Sequence, residues 1–92
     1  MKGENMKEVI KTVLSDSGHS WLSVKQKELI ELGISDKISS CSYVNGKSVY
    51  LEEDCDAGVY IDAQKEKGII VKFKLGKWSE RSYVRYFDNY SK

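Results

Sequence analysis

The pair Asn45-Gly46 constrains this chain most. It stands between residues 40–44 and 47–51, two short segments carrying Tyr and Val. Asn-Gly is the dipeptide that most readily takes the positive φ angles of a two-residue hairpin turn. An isolated hairpin is at best marginally stable in water, so the rest of the chain must extend it and cover it. At 92 residues the chain is long enough for one domain with a single modest core.

Strand and helix signals alternate around this hairpin. Met6, Val9, Ile10, Val13 and Leu14 fit a helical face, while Ile10, Thr12 and Leu14 also fit one side of a β-branched strand. The turn cluster Ser15-Asp16-Ser17-Gly18 and the alternating Ser20-Trp21-Leu22-Ser23-Val24 favour two strands about a turn, the first over about residues 9–15. Helix formers fill residues 25–32, and Gly33 followed by Ile34 supplies a left-handed stop. Beyond Leu51, Asp54 or Asp56 stands where a second helix needs its N-cap. Ala57, Tyr60, Ile61 and Gln64 then follow at helical spacing, with Gly68 as the stop. Residues 69–75 alternate, with Ile69, Val71, Phe73 and Leu75 on one face and Lys72 and Lys74 on the other. A last strand is expected over about residues 81–87. The resulting order, ββαββαββ, is an α+β domain with a mainly antiparallel sheet and two short helices. Residues 1–8 read as a flexible N-terminal extension of this single domain.

The charge is sorted along the chain although the total is only +1. Residues 1–50 carry a net +1, residues 51–62 a net −5 and residues 63–92 a net +5. No apolar run approaches the roughly 18 residues of a membrane span. The first residues, MKGENMKEVIKTVL, lack the apolar stretch and cleavage site of a signal peptide, so a cytoplasmic setting is expected. Strict pairing about Asn45-Gly46 sets Cys41 opposite Tyr50 and leaves Cys55 beyond the paired segment. Two reduced, partly buried thiols are therefore expected.

Glu52, Glu53, Asp54 and Asp56 form the densest chemical feature. A calcium loop starting at Asp54 would put Val59 where a glycine is needed and Lys65 where the bidentate glutamate belongs, so that reading fails. A magnesium-dependent nuclease built on Glu52, Glu53 and Lys47 lacks any spacing that specifies ligand geometry. Helix capping and a contact surface for a basic partner both remain. His19, the single histidine, has no nucleophile elbow beside it and no paired cysteine motif, and it reads as a turn residue. Neither catalytic residues nor metal ligands nor a cofactor are assigned. In the last expected strand, Arg81, Tyr83 and Arg85 alternate away from Val84 and Tyr86. With Lys72 and Lys74 beside them they form a basic-aromatic face suited to single-stranded nucleic acid, or simply an edge protected by charge.

Gly18-His19-Ser20-Trp21-Leu22, Leu32-Gly33-Ile34, Ile38-Ser39-Ser40, and the run from Ser42-Tyr43 through Val49-Tyr50-Leu51-Glu52-Glu53-Asp54-Cys55-Asp56-Ala57 resemble a family of small proteins. Tailed bacteriophages, prophages and some plasmids encode its members. The pattern GHxWL…LGI…IS…SY…G…VYLEEDCDA covers about residues 16–57, and residues before the first strand look like an extension relative to it. The resemblance implies a source and a setting, carries over no catalytic residue, and makes Cys55 and the acidic positions recurrent features. The expected function is therefore that of a non-enzymatic phage accessory protein in the host cytoplasm. It would bind a host or phage protein complex, with inhibition of an antiviral defence nuclease (anti-CRISPR or anti-restriction) as its action. Glu52, Glu53, Asp54 and Asp56 would meet the partner, with Trp21 and Trp78 as exposed anchors. The alternative is a nucleic-acid-binding module using Lys72, Lys74, Arg81, Tyr83 and Arg85.

Overall fold

A computed structural model describes residues 7–91. The described residues build one sheet from β1 (Lys7–Ser15), β2 (Ser20–Lys25), β3 (Tyr43–Asn45), β4 (Ser48–Glu52), β5 (Ile69–Trp78) and β6 (Asp88–Asn89). Two helices, α1 (Gln26–Glu31) and α2 (Ala57–Glu66), complete an α+β domain. The strand order is β5-β1-β2-β4-β3-β6, and every pairing is antiparallel except β1 with β5. The parallel pair follows from the connection. The chain leaves β4, passes through α2 and returns beyond β1, a crossover too wide for a hairpin. Lys7 and Glu8 belong to β1, paired with Ile69 and Ile70, so the expected N-terminal extension is shorter than residues 1–8. Residues 1–6 lie outside the described part.

Period-two alternation sorts the strands into two faces. Leu22, Val24, Val49, Leu51 and Val71 join Leu29 of α1 and Ala57 and Tyr60 of α2 in the main core, closed by Ile34, Ile38 and Tyr90. Glu28 ties this layer together. Its carboxylate accepts hydrogen bonds from the backbone N–H of Lys25 at 2.8 Å, Lys11 Nζ at 2.8 Å and Tyr60 Oη at 2.7 Å. Burial pushes its pKa up, but these three donors outweigh that and leave the carboxyl below its ordinary value. On the opposite face, Leu14, Trp21 and Val84 form a smaller cluster with Tyr43, Tyr50 and Phe87 against it.

The central hairpin forms, with a shifted turn. Tyr43 pairs with Tyr50, Val44 with Val49 and Asn45 with Ser48, so the two loop residues are Gly46 and Lys47. Gly46, at φ 61°, takes the left-handed loop position while Asn45 continues the strand. The pairing moves by two residues, which preserves the face of each side chain but changes its partners. Continued past Tyr43, this ladder sets Cys41 level with Glu52 and not with Tyr50.

The C-terminal third departs most from expectation. Residues 81–87 are not a strand. Tyr83–Tyr86 is a 3-10 turn whose preceding Ser82 side chain accepts from the N–H of Val84 at 3.3 Å, and only Asp88–Asn89 rejoins the sheet, on β3. Asp16 is the physical reason. Its buried carboxylate accepts from Gly18 N at 2.9 Å, His19 N at 3.0 Å, Ser82 N at 3.0 Å and the Arg85 guanidinium through both Nε and Nη2. These bonds draw the segment across the sheet face, so Val84 is buried as expected while Tyr86 is exposed. The Arg85 guanidinium beside Asp16, helped by the three backbone donors, outweighs burial and holds its carboxyl far below its ordinary value of 3.8.

A depressed carboxylate pKa contributes stability in full above the ordinary value and loses it as pH falls towards the folded value. Asp16→Asn should therefore cost about 3 kcal/mol at neutral pH, since it removes one partner of a buried ion pair. Urea unfolding followed from pH 7 to pH 2 should show a steeper acid loss in the wild type than in Asp16→Asn.

Candidate functional site

Three registers converge at one end of the sheet. Trp21 pairs with Glu52 across β2 and β4, the β1–β2 turn carries His19, and the chain before β3 brings in Cys41. The Asp16 carboxylate fixes this turn by accepting the His19 backbone N–H, which turns the imidazole towards β4. His19 Nδ1 lies 3.1 Å from Oε2 of Glu52, whose side chain is buried. One atom each from His19, Glu52 and Asp54 falls within 4.8 Å of the others. Cys41, His19 and Glu52 line one small pocket of about 220 Å³ together with Trp21, Tyr43 and Arg85.

Cys41 and Cys55 are free and exposed, which corrects the expectation of partly buried thiols. The neighbouring Cys41 thiol, the Glu52 carboxylate and burial push the Cys55 thiol up to about 12. A thiol in that position is a poor nucleophile at neutral pH, because the thiolate is the reactive form.

The acidic run divides into two kinds of residue. Glu53 and Asp54 are exposed, whereas Glu52 and Asp56 are buried and cannot face a partner in the expected way. Asp56 does occupy the N-cap position of α2, but its side chain makes no cap bond. It accepts instead from Ser39 N at 3.1 Å, Ser39 Oγ at 2.9 Å and Ser42 Oγ, and Ser42 Oγ in turn accepts from Glu52 N at 3.0 Å. The carboxylate thus holds the loop before β3 against the start of α2.

Trp21, read from sequence as an exposed anchor, is only 1% exposed. Its indole packs under the Arg85 guanidinium, whose carbon lies 5.3 Å from the ring centroid, and its Nε1 is the buried side-chain nitrogen without a hydrogen-bond partner among the described residues. Arg85 is correspondingly committed to Asp16 and Trp21. Arg81 lies over the ring of Tyr86 at 5.6 Å, and Tyr83 meets Phe87 edge-on. The expected row of Arg81, Tyr83 and Arg85 beside Lys72 and Lys74 therefore does not form, because the segment that should present it is a 3-10 turn.

A different surface stands out. Strand β5 is the sheet edge and, among the described residues, pairs only with β1. Helix α2 covers its first turns and buries Val71, but from Lys72 onward the strand is exposed. Phe73 is 57%, Leu75 83% and Trp78 61% exposed, interleaved with Lys72, Lys74 and Lys77. Lys72 reaches Glu8 only at 3.9 Å between two exposed side chains. Beside Phe73 a cleft of about 360 Å³ is floored by Val13, Leu22, Ala57 and Ile61. A wider cleft of about 590 Å³ lies among Gln26, Asp36 and Tyr90.

Trp78 keeps the exposure expected of it. Phe73 and Leu75 share a face with Val71 as expected, but only Val71 is buried. The available signal was Lys72-Phe73-Lys74-Leu75-Gly76-Lys77-Trp78, where repeated lysines on an apolar strand mark an edge. No protein-family model, curated protein or solved structure matches the chain.

Two substitutions separate the buried from the exposed acids. Asp56→Ala should cost about 1–3 kcal/mol, because it strands buried donors, while Asp54→Ala should stay within about 0.5 kcal/mol. Chemical denaturation of both variants measures the difference.

Proposed function

We propose that this protein is a small, non-enzymatic accessory protein of a bacteriophage or prophage, acting in the host cytoplasm. It docks an extended, acidic segment of a host or phage protein complex along the outer edge of β5. The observation that carries this reading is the ten-residue β5, paired on one side only among the described residues and exposing apolar Phe73, Leu75 and Trp78. An unpaired strand edge offers a row of backbone donors and acceptors to an added strand, and side chains above and below it supply specificity. Exposed apolar residues gathered in one place mark a contact surface more often than scattered ones do. Lys72, Lys74 and Lys77 set the sign of the partner and would speed its approach. Among the described residues no helix is long and apolar enough to cross a membrane. The phage setting rests on the sequence resemblance, and a defence nuclease complex is the partner class that fits it.

A second reading keeps the acidic contact with a basic channel of such a complex. Glu53 and Asp54 favour it by remaining exposed on one turn, a smaller surface than the four carboxylates first suggested.

Affinity capture from host lysate, with and without nuclease, tests these readings. The wild type should retain a defined protein complex after nuclease, and the double variant Phe73→Ser/Leu75→Ser should lose it. Equal retention by the double variant would contradict the β5 docking site. Binding that nuclease abolishes would move the assignment to nucleic acid.

A further inference from the structure

The exposed part of β5 has two unlike faces, and one irregularity sets them. Val9 pairs with Val71 and Val13 with Leu75, and both β1 valines pack against the main core. Val71, Phe73 and Leu75 therefore stand on the α2 side of the sheet. Ile10 and Thr12 pair with Lys72 and Lys74, which places those lysines on the opposite side. Strict alternation would send Trp78 to the lysine side as well. Instead the register shifts: Val13 meets Leu75 but Ser15 meets Trp78, so two steps along β1 match three along β5. A bulge of this kind re-aims the side chains beyond it, and Trp78 joins Phe73 and Leu75 on the α2 side. Gly76 lies in the bulge. A Cβ there would stand 2.6 Å from Thr12 Cγ2 and 2.7 Å from Leu14 Cδ2, so a larger residue would push those side chains aside.

We propose, resting on the reading of β5 as a docking edge, that the segment received there alternates apolar residues with Asp or Glu. An added strand continues the pleat, so its side chains fall on alternate faces of the sheet. Its apolar set meets Phe73, Leu75 and Trp78, and one large member fills the cleft of about 360 Å³ beside Phe73. Its acids face Lys72 and Lys74, since opposite charges at neighbouring positions of paired strands are stabilising. Both lysines are exposed, and the contact of Lys72 with Glu8 spans 3.9 Å between side chains that are each more than half exposed. Such a pair is worth little and leaves the lysine available to a better partner. Glu53 is exposed and lines the apolar cleft, so an acid on the α2 side would meet a like charge. A segment shifted by one residue would put every side chain on the wrong face. The alternation thus selects the register as well as the sign of the partner.

The test uses the full-length chain and three short labelled peptides. One alternates Asp and Leu, one has the same residues with every Asp before every Leu, and one alternates Lys and Leu. Fluorescence anisotropy should show the alternating Asp–Leu peptide binding about 10-fold or more tightly than either of the others. Amide hydrogen exchange should slow within residues 72–78 when that peptide is bound. Lys72→Glu/Lys74→Glu should weaken the Asp–Leu peptide by about 10-fold or more and take up the Lys–Leu peptide in its place. A misfolded variant would not exchange its preference in this way. Equal wild-type affinity for the alternating and block Asp–Leu peptides would overturn the proposal, as would a wild-type preference for Lys–Leu or no binding of any of the three. Those results leave the docking edge to its own test, because loss of the captured complex in Phe73→Ser/Leu75→Ser does not depend on the pattern of a peptide.

Discussion

The carboxylate of Asp16 organises more of this molecule than any other group. It lies in the turn between β1 and β2, yet it accepts hydrogen bonds from Ser82 and Arg85, 66 and 69 positions away. A buried carboxylate is unfavourable unless its lone pairs and charge are met. Here two turn amides, one distant amide and a forked guanidinium meet both needs. The arrangement fixes the His19 turn, draws the C-terminal segment over the sheet and stacks Arg85 on Trp21. Without it, the second face of the sheet would lose Val84, the residue that closes its small cluster.

The same constraint shapes the two surfaces available for function. Because residues 79–87 are drawn towards β2, β4 and β3, they do not extend the sheet beside β5. Helix α2 reaches only the first part of that strand. The outer edge of β5 and its exposed Phe73, Leu75 and Trp78 are what remain. At the other end, the turn held by Asp16 presents His19 to Glu52, with Asp54 nearby. Both surfaces are thus consequences of one clamp and one crossover. They also differ in chemistry: one is apolar and basic, the other an imidazole beside carboxylates.

Much of the fold was legible in the sequence, because it is written in local signals. The β1–β2 turn cluster and the helix stop at Gly33 each act within a few residues, as does Gly46, although the hairpin loop is Gly46-Lys47 and not Asn45-Gly46. Gly33, at φ 72°, and Gly68, at φ 77°, stand where left-handed stops were expected. The errors are non-local. Residues 81–87 alternate like a strand, but an interaction with Asp16 outweighs that pattern. Trp21 looks like an anchor until Arg85 and Tyr43 cover it. Asp56 looks like a cap until Ser39 and Ser42 supply better partners. The His19–Glu52 contact depends on register between strands that a single-chain pattern does not specify.

Amide hydrogen exchange on the wild type and Asp16→Asn tests the central claim most directly. If the Asp16 clamp holds the C-terminal segment on the sheet, the substitution should selectively lower protection at Gly18, His19, Ser82 and Arg85. The β2–β4 ladder should keep its protection. Unchanged protection across residues 82–90 would contradict the account, because that segment would then be held by its apolar contacts alone.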